Sequence, residues 1–318
     1  MHRYRIVVTS LAALQSPDLF EEFRRTSPHE LVVAIPEKRT EEVLIELLEN
    51  ADAVIAGSDP LTRRVLEHCP QLKVISRPGV GYDAIDMKAA RELGVRVTTT
   101  PGTNQRAVAD HALALILGLA RSLLRLDRQT REGKWIRPVS ADIGRKVLGI
   151  IGLGAIGREV ALRGRGFDMQ VLAYEIFPNQ EFVEQHGVEL TTLEDLLQRA
   201  DFVTLHTPST PDTYHLMNEQ RLRLMKPTAY LVNTARGPLI DEQALLKALK
   251  GRWIAGAGLD VFEKEPPGDS PFFELDNVLV SPHIAGITDD ACQAMGEMAL
   301  KNAVLVLEGE DPLYEVLE

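Results

Sequence analysis

The stretch "VLGIIGLGAIGREVA", residues 147–161, decides how the rest of the chain is read. It opens with an apolar, β-branched run and continues into a helix-like segment. Between them lies Gly152-x-Gly154-x-x-Gly157. The spacing alone is common. Set between a strand and a helix, each glycine acquires a physical task. Gly152 permits a tight turn, Gly154 lets backbone approach a pyrophosphate, and Gly157 lets helix and strand pack closely. The helix start then offers unpaired N–H groups and the positive end of its dipole to phosphate. Next comes "MQVLAYE", which ends on Glu175, about 20 residues after the loop, as expected of the acid that accepts bonds from the ribose hydroxyls. Its charge would repel a 2′-phosphate, and "IFPNQ" after it brings no Arg or Lys. The cofactor predicted is NAD rather than NADP.

Working outward, short apolar runs alternate with helical patterns. In the first third the predicted strands are "YRIVV", "LVVAI", "AVIAG", "LKVIS" and "VRVTT". In the remainder they are "VLGIIG", "MQVLAYE", "DFVTLHT", "AYLVNTA", "IAGAGLDVF" and "NVLVS". Such alternation implies βαβ units and buried parallel sheets. A Pro-Gly turn in "TTTPGTN" (98–104) interrupts it, and a long helix is expected from about Asn104 to Arg125. Residues 112–120 of that helix are apolar all round, which predicts cover from a domain on one face and a partner subunit on another. The final helix is expected over about Asp289 to Leu307. The fold class predicted is α/β, with two doubly wound parallel-sheet domains.

The 318 residues suit two domains, and a net charge of −11 disfavours nucleic acid or an anionic membrane as partner. An anionic small molecule is still compatible with a few local arginines. Cys69 and Cys292 form no disulfide framework or zinc spacing. The first residues, "MHRYRIVVTS", lack the pattern of a signal peptide, and "ALALILGLA" (112–120) is too short to span a bilayer, so a cytoplasmic location is expected.

In an open parallel sheet, ligands bind at the carboxyl ends of the strands. Several predicted strands end on polar groups: His206-Thr207-Pro208, Arg236, Asp260 with Glu265 shortly after, and His283 in "SPHIAG" (281–286). Singly, each has an ordinary structural explanation. Together they are the parts that hydride transfer at a hydroxyl carbon needs. A cation grips a carboxylate and polarises a carbonyl oxygen, an imidazole exchanges the hydroxyl proton, and a carboxylate orients that imidazole. No metal-ligand cluster or nucleophilic triad competes.

With "SRPGVGYDAID" (76–86), "TPGTNQRAVADHALALILGLAR" (100–121), "LHTPSTPDTYHLMN" (205–218), "LVNTARGPLIDEQAL" (231–245) and "GAGLDVFEKEP" (256–266) added to the two motifs above, the chain resembles the D-isomer-specific 2-hydroxyacid dehydrogenases, and among them the D-3-phosphoglycerate dehydrogenase-like group. The resemblance implies Arg236 as substrate-binding arginine, Glu265 as the partner of His283, and His283 as acid/base. It places Ala155 and Ile156 on the pyrophosphate and Glu175 on the ribose. His206, Thr207, Pro208, Thr234, Ala235, Asp260 and Gly286 fall along the rest of the cofactor site. Val80 and Gly81 match the loop that takes the substrate carboxylate on backbone N–H groups, with His283 and Arg236 also touching substrate. It further implies a Rossmann NAD-binding domain over 102–284, inserted into a smaller flavodoxin-like substrate domain of 1–101 and 285–318. It also implies homodimers formed through the cofactor domain.

Three departures bear on substrate. With the sequence ending at Glu318, the regulatory domain that some phosphoglycerate dehydrogenases carry is expected to be missing. Gly57, in "IAGSDPLT" (55–62), stands where some phosphoglycerate-specific members have a phosphate-binding arginine, leaving Arg77 as a candidate for a distal anion. Glu265 is the dehydrogenase residue, whereas formate dehydrogenases have glutamine there. The expected activity is therefore NAD-dependent oxidoreduction at C2 of a small 2-hydroxy or 2-keto acid. 3-Phosphoglycerate leads, and hydroxypyruvate or glyoxylate is the alternative. A non-catalytic NAD-sensing protein, like the corepressors of the same superfamily, is the rival of a different class.

Overall fold

A computed structural model describes residues 2–11 and 15–317. The chain divides into two compact units. One comprises the residues up to Asn104 together with those from Gly286 onward, and the other is Gln105–Ala285.

The first unit is built on β1 (Arg5–Val8), β2 (Glu30–Val33), β3 (Ala53–Ile55), β4 (Val74–Ser76) and β5 (Arg96–Thr98), in the order β2-β1-β3-β4-β5. All its pairings are parallel. This is the flavodoxin-like order. Side chains alternate between faces, as the strand repeat of two requires. Val7, Val54, Ile75 and Val97 join the core under helices 41–48 and 87–92. Ile6, Val8, Ile55 and Val74 join a second core, which the returning helix Asp289–Leu307 covers through Ala299, Leu300 and Ala303. Ser76 Oγ donates to the carbonyl of Ala299 at 2.8 Å, so the last helix is tied to the first unit by polar contact as well as by packing.

The second unit holds β6 (Val147–Ile151), β7 (Gln170–Tyr174), β8 (Glu189–Leu190), β9 (Phe202–Leu205), β10 (Tyr230–Asn233), β11 (Gly256–Leu259) and β12 (Val278–Val280). They run in the order β12-β11-β10-β9-β6-β7-β8, all parallel. Counted within the unit, this is the doubly wound dinucleotide-binding order with one strand added. The order reverses beside β6, whose Ile151 pairs with Leu205 of β9 and Tyr174 of β7.

The structure differs from the sequence expectations at three points. β8 was not foreseen: its two residues in "HGVELTT" are too few to show a periodicity. The helix expected over 104–125 is two helices, Gln105–Ala120 and Leu123–Arg131, bent by 59°. The break falls at Ser122, whose φ of 49° is left-handed. A partner subunit is not needed to cover residues 112–120. The helix lies against β10, β11, β12 and helix Ala155–Gly166 of its own unit, and Ile116 is fully buried there. Gly118 and Gly258 make that approach possible. A Cβ on the first would stand 2.8 Å from Leu279 Cδ1, and one on the second 3.1 Å from Leu115 Cβ.

Among the described residues no single helix is long and apolar enough to cross a membrane. Cys69 and Cys292 are both buried and unbonded, and burial pushes the Cys69 thiol up to about 11.

Because Ile116 is enclosed by its own chain, Ile116→Ala should lower unfolding stability by about 2–5 kcal/mol. Urea titration checks this at low and high protein concentration. A loss seen only at high concentration would mean that a partner, not the subunit, covers the helix.

Candidate active site

The glycine turn is shaped by contacts that no side chain can share. Gly152 has φ +94°, and a Cβ there would stand 2.7 Å from the carbonyl carbon of His206 and 2.7 Å from the N atom of Thr207. Gly157 is tighter still, because its Cβ would come 2.0 Å from Gly152 O. Gly154 differs: nothing lies within 4 Å of its missing Cβ, so the turn is open on that side. Ala155 begins the helix with Gly154 as its cap, and no side chain satisfies the first N–H groups. Glu175 follows β7. Its Oε2 accepts from the N–H of Leu153 at 2.7 Å, and its Oε1 from that of Phe177 at 3.0 Å. The carboxylate is therefore held at the edge of the glycine turn.

Two polar atoms at neighbouring strand ends lack partners. His206 leaves β9 with Nε2 bonded to Thr204 Oγ1 at 2.9 Å, while its buried Nδ1 has none. Thr234 leaves β10 buried, with its Oγ1 unsatisfied. An unpaired buried polar atom costs stability unless something bonds to it. The open cradle at Gly154, the uncapped helix start and these two atoms fit a dinucleotide cofactor along this edge. Thr207 and Ala235 are half-buried beside them, and Pro208 is exposed. Among the described residues no group of three or more His, Cys, Asp or Glu side chains could hold a metal ion.

The structure brings His283 and Glu265 together. His283 Nδ1 lies 2.6 Å from Glu265 Oε2, and the two side chains are 43% and 33% exposed, so small molecules can reach the pair. Glu265 is itself fixed, because Oε1 accepts the N–H of Phe262 at 3.0 Å. With Nδ1 bonded to a carboxylate, Nε2 is the ring atom left for proton exchange. His283 has φ +55°, a left-handed conformation unusual for a residue with a side chain. Arg236 leaves β10 half-buried, with Nη1 donating to Ala235 O at 2.6 Å. Its neighbour Gly237 lets the chain press against the 261–263 segment, since a Cβ would lie 1.9 Å from the carbonyl carbon of Phe262. That approach sets the exits of β10 and β11 side by side.

Asp260 was expected along the cofactor. Its carboxylate is fully buried and committed within the protein. Oδ1 accepts from Ser281 Oγ at 2.6 Å and Ile284 N at 3.0 Å, and Oδ2 from Ala285 N at 2.9 Å. His111 Nε2 lies 2.8 Å from Ser281 Oγ. Sequence reasoning passed over His111 and Ser281. The available signal was a single imidazole on the apolar run of its helix, which reads as well for simple packing.

In the first unit, Val80 is exposed and Gly81 half-buried on a loop after β4. Arg77 holds that loop: Nε donates to Gly81 O at 2.7 Å and Nη1 to Ala56 O at 3.1 Å. Gly79, with φ +136°, donates to Thr100 Oγ1 at 2.7 Å. At Gly57 a Cβ would stand 3.0 Å from Nη1 of Arg39, so another arginine fills the space beside this position. Its Nη1 pairs with the buried carboxylate of Asp59, and its Nη2 donates to Thr9 O at 3.3 Å. Gly286 packs on Asn104, whose Nδ2 would be 3.0 Å from a Cβ.

Comparison with known proteins adds a family. The model described as D-isomer specific 2-hydroxyacid dehydrogenase, NAD binding domain, matches residues 113–285. A glyoxylate reductase of Korarchaeum cryptofilum is 43% identical over 281 residues, 86% of this chain and 85% of that protein. One from Pyrococcus horikoshii is also 43% identical over 281 residues, covering 85% and 84%. The crystal structure of D-lactate dehydrogenase from Aquifex aeolicus, complexed with NAD and lactic acid, superposes with a TM-score of 0.86 at 30% identity, covering 99% of each chain.

Burial pushes His206 down from 6.5 to about 3, so its ring is neutral in the folded protein. The unfolded chain binds one more proton than the folded one between those two values. Stability is therefore complete above about pH 6.5 and falls toward pH 3, by up to about 1.4 kcal/mol per pH unit. His206→Gln keeps a partner for Thr204 and cannot titrate. Chemical unfolding across this range should show the wild type losing stability relative to the variant, and parallel curves would refute the assignment.

Proposed function

The chain belongs to the D-isomer-specific 2-hydroxyacid dehydrogenases, NAD-dependent oxidoreductases acting on a CH–OH group, and on that footing we propose that it reduces a short, uncharged-tail 2-keto acid: glyoxylate or hydroxypyruvate. In this reading the second unit takes the cofactor and the first the substrate. Bound NADH supplies hydride to C2. His283 gives the proton from Nε2 to the C2 oxygen, and Glu265 holds the imidazole in the required tautomer and orientation. Arg236 binds the substrate carboxylate and polarises the C2 oxygen. The backbone N–H groups of Val80 and Gly81 take the other side of the carboxylate. In the reverse direction the same imidazole accepts the hydroxyl proton.

The observation that carries the acid–base assignment is the 2.6 Å contact between His283 and Glu265, with Glu265 pinned by Phe262. The substrate reading is supported at Gly57. A phosphate needs a cation with charge to spare, whereas the guanidinium beside this position, that of Arg39, is neutralised by buried Asp59. The names of the two archaeal relatives point the same way.

We also assign the second unit to a homodimer. Leu123, Leu124, Trp135, Ile136 and Val139 are 62%, 60%, 77%, 52% and 102% exposed. Large apolar side chains exposed within one short stretch of chain support an association site, and a second copy of this chain offers the same stretch.

His283→Ala should lower kcat by about 10²–10⁴ while NADH still binds, and near-normal turnover would remove His283 from the chemistry. Steady-state assays with NADH should give glyoxylate or hydroxypyruvate a kcat/KM roughly 10²-fold above that of phosphohydroxypyruvate, and the reverse order would restore the phosphoglycerate reading. Light scattering should give twice the 35.2 kDa chain mass, and Trp135→Asp combined with Val139→Asp should shift it toward one. A wild type that scatters as a single chain would refute the dimer.

A further inference from the structure

We propose that His111, on helix Gln105–Ala120, is a positioning residue for His283 and acts on it through Ser281 and Asp260. The proposal rests on reading His283 as the acid–base group. Its geometry lies within the second unit.

The proton order along the chain of contacts follows from the groups themselves. Asp260 is fully buried, and its carboxylate oxygens accept from Ser281, Ile284 and Ala285. The short 2.6 Å contact therefore takes the single hydroxyl proton of Ser281. Ser281 Oγ is left as an acceptor toward the imidazole 2.8 Å away, so His111 presents N–H at Nε2. His111 Nε2 is also 3.6 Å from Asp260 Oδ1, close enough to add attraction but too far for a second bond.

Asp260 then distributes this constraint. Its carboxylate takes the N–H groups of Ile284 and Ala285, the two residues after His283. Its backbone carbonyl takes the N–H of His283 at 2.8 Å, and Ser281, two residues before, donates its N–H to Leu259 O at 3.0 Å. The histidine is thus clamped on both sides, in the left-handed conformation it would otherwise leave. That conformation aims its ring at Glu265. Without His111, the Ser281 hydroxyl loses the partner that keeps it turned toward Asp260. The carboxylate then gains freedom to release the loop. The expected effect is a small error in the direction of the ring, to which proton transfer is sensitive and cofactor binding is not.

The test uses the full chain and compares His111→Ala, His111→Gln, Ser281→Ala, the double variant His111→Ala/Ser281→Ala, and His283→Ala. The readouts are kcat and KM for glyoxylate, NADH affinity by fluorescence, and the thermal midpoint. Glutamine is the informative replacement because its amide nitrogen can stand where Nε2 stands. His111→Ala should lose about tenfold in kcat, with KM and NADH affinity within about threefold of the wild type. His111→Gln should recover most of the loss. The double variant should fall no further than Ser281→Ala alone, since both act along one path. Turnover of His111→Ala within about twofold of wild type, equal impairment in His111→Gln, or additive losses in the double variant would each overturn the proposal. Should His111→Ala fail to fold, Ser281→Ala cuts the same link and must show the loss in kcat by itself. If His283→Ala is inactive while these variants are normal, only the positioning role is wrong. If His283→Ala itself turns over normally, the acid–base premise has failed and this inference with it.

Discussion

Parallel pairing is the constraint on which the rest of this molecule depends. A strand that runs parallel to its neighbour must be reached by a crossover, so every strand in a sheet leaves it at the same edge. In the second unit all seven strands obey this rule, and residues far apart in sequence are delivered to one line. Gly152, His206, Thr234, Asp260 and Ser281 follow β6, β9, β10, β11 and β12 in turn. What distinguishes the exits is how closely the backbones approach. Gly152 against His206 and Gly237 against Phe262 are contacts in which a single Cβ would be prohibitive. These glycines set the spacing of the exits, and the spacing brings a dinucleotide cradle and a histidine–glutamate pair onto the same edge.

The degree of order differs along that edge, and the difference follows function. The glycine turn is open at Gly154, and Thr234 Oγ1 and His206 Nδ1 have no partner, as befits a surface shaped for a ligand. The loop carrying His283 is the opposite case. Its backbone is bonded at 281, 283, 284 and 285 to a single strand end, and the imidazole is held by a carboxylate that is held in turn by Phe262. On the proposed reading of His283 as proton donor this rigidity has a use, because proton transfer works only within a narrow range of direction. A cofactor brings many contacts of its own and needs less preparation.

Much of this was legible in the sequence, for identifiable reasons. Buried parallel strands are apolar on both faces, and the runs around Ile6, Val54, Ile75, Ile150 and Val232 stand out from their surroundings. The glycine loop is legible because its three positions answer to three separate steric demands. Other features were hidden because they are decided by tertiary contact. β8 exists only because two residues find Leu172 and Ala173 beside them. The break at Ser122 is written in no proline or glycine. The apolar girdle of helix Gln105–Ala120 was ambiguous, since a neighbour in the chain and a neighbour in another chain impose the same composition. Asp260 could be placed at a strand end by its position in "GLDVF", but the side to which its carboxylate turned depends on Ser281, more than twenty residues later.

Electrostatics limits how this chain can hold an anion. With 35 basic and 46 acidic residues the chain repels anions at a distance, so any anionic ligand must be held by local groups. Several arginines are already spent on structure. Arg96 reaches Glu315 and Asp311, and binds the last residues of the first unit to β5. Arg39 is matched by Asp59 beside Gly57, and Arg77 is bonded to the carbonyls of Gly81 and Ala56. A guanidinium opposite a buried carboxylate brings no net charge to an approaching ligand, however close it stands. Position 57 therefore differs from an arginine-bearing site in charge as well as in shape, since its neighbouring cation is present but compensated. A doubly charged group brought to position 57 would meet a cation already neutralised, and its desolvation would go uncompensated.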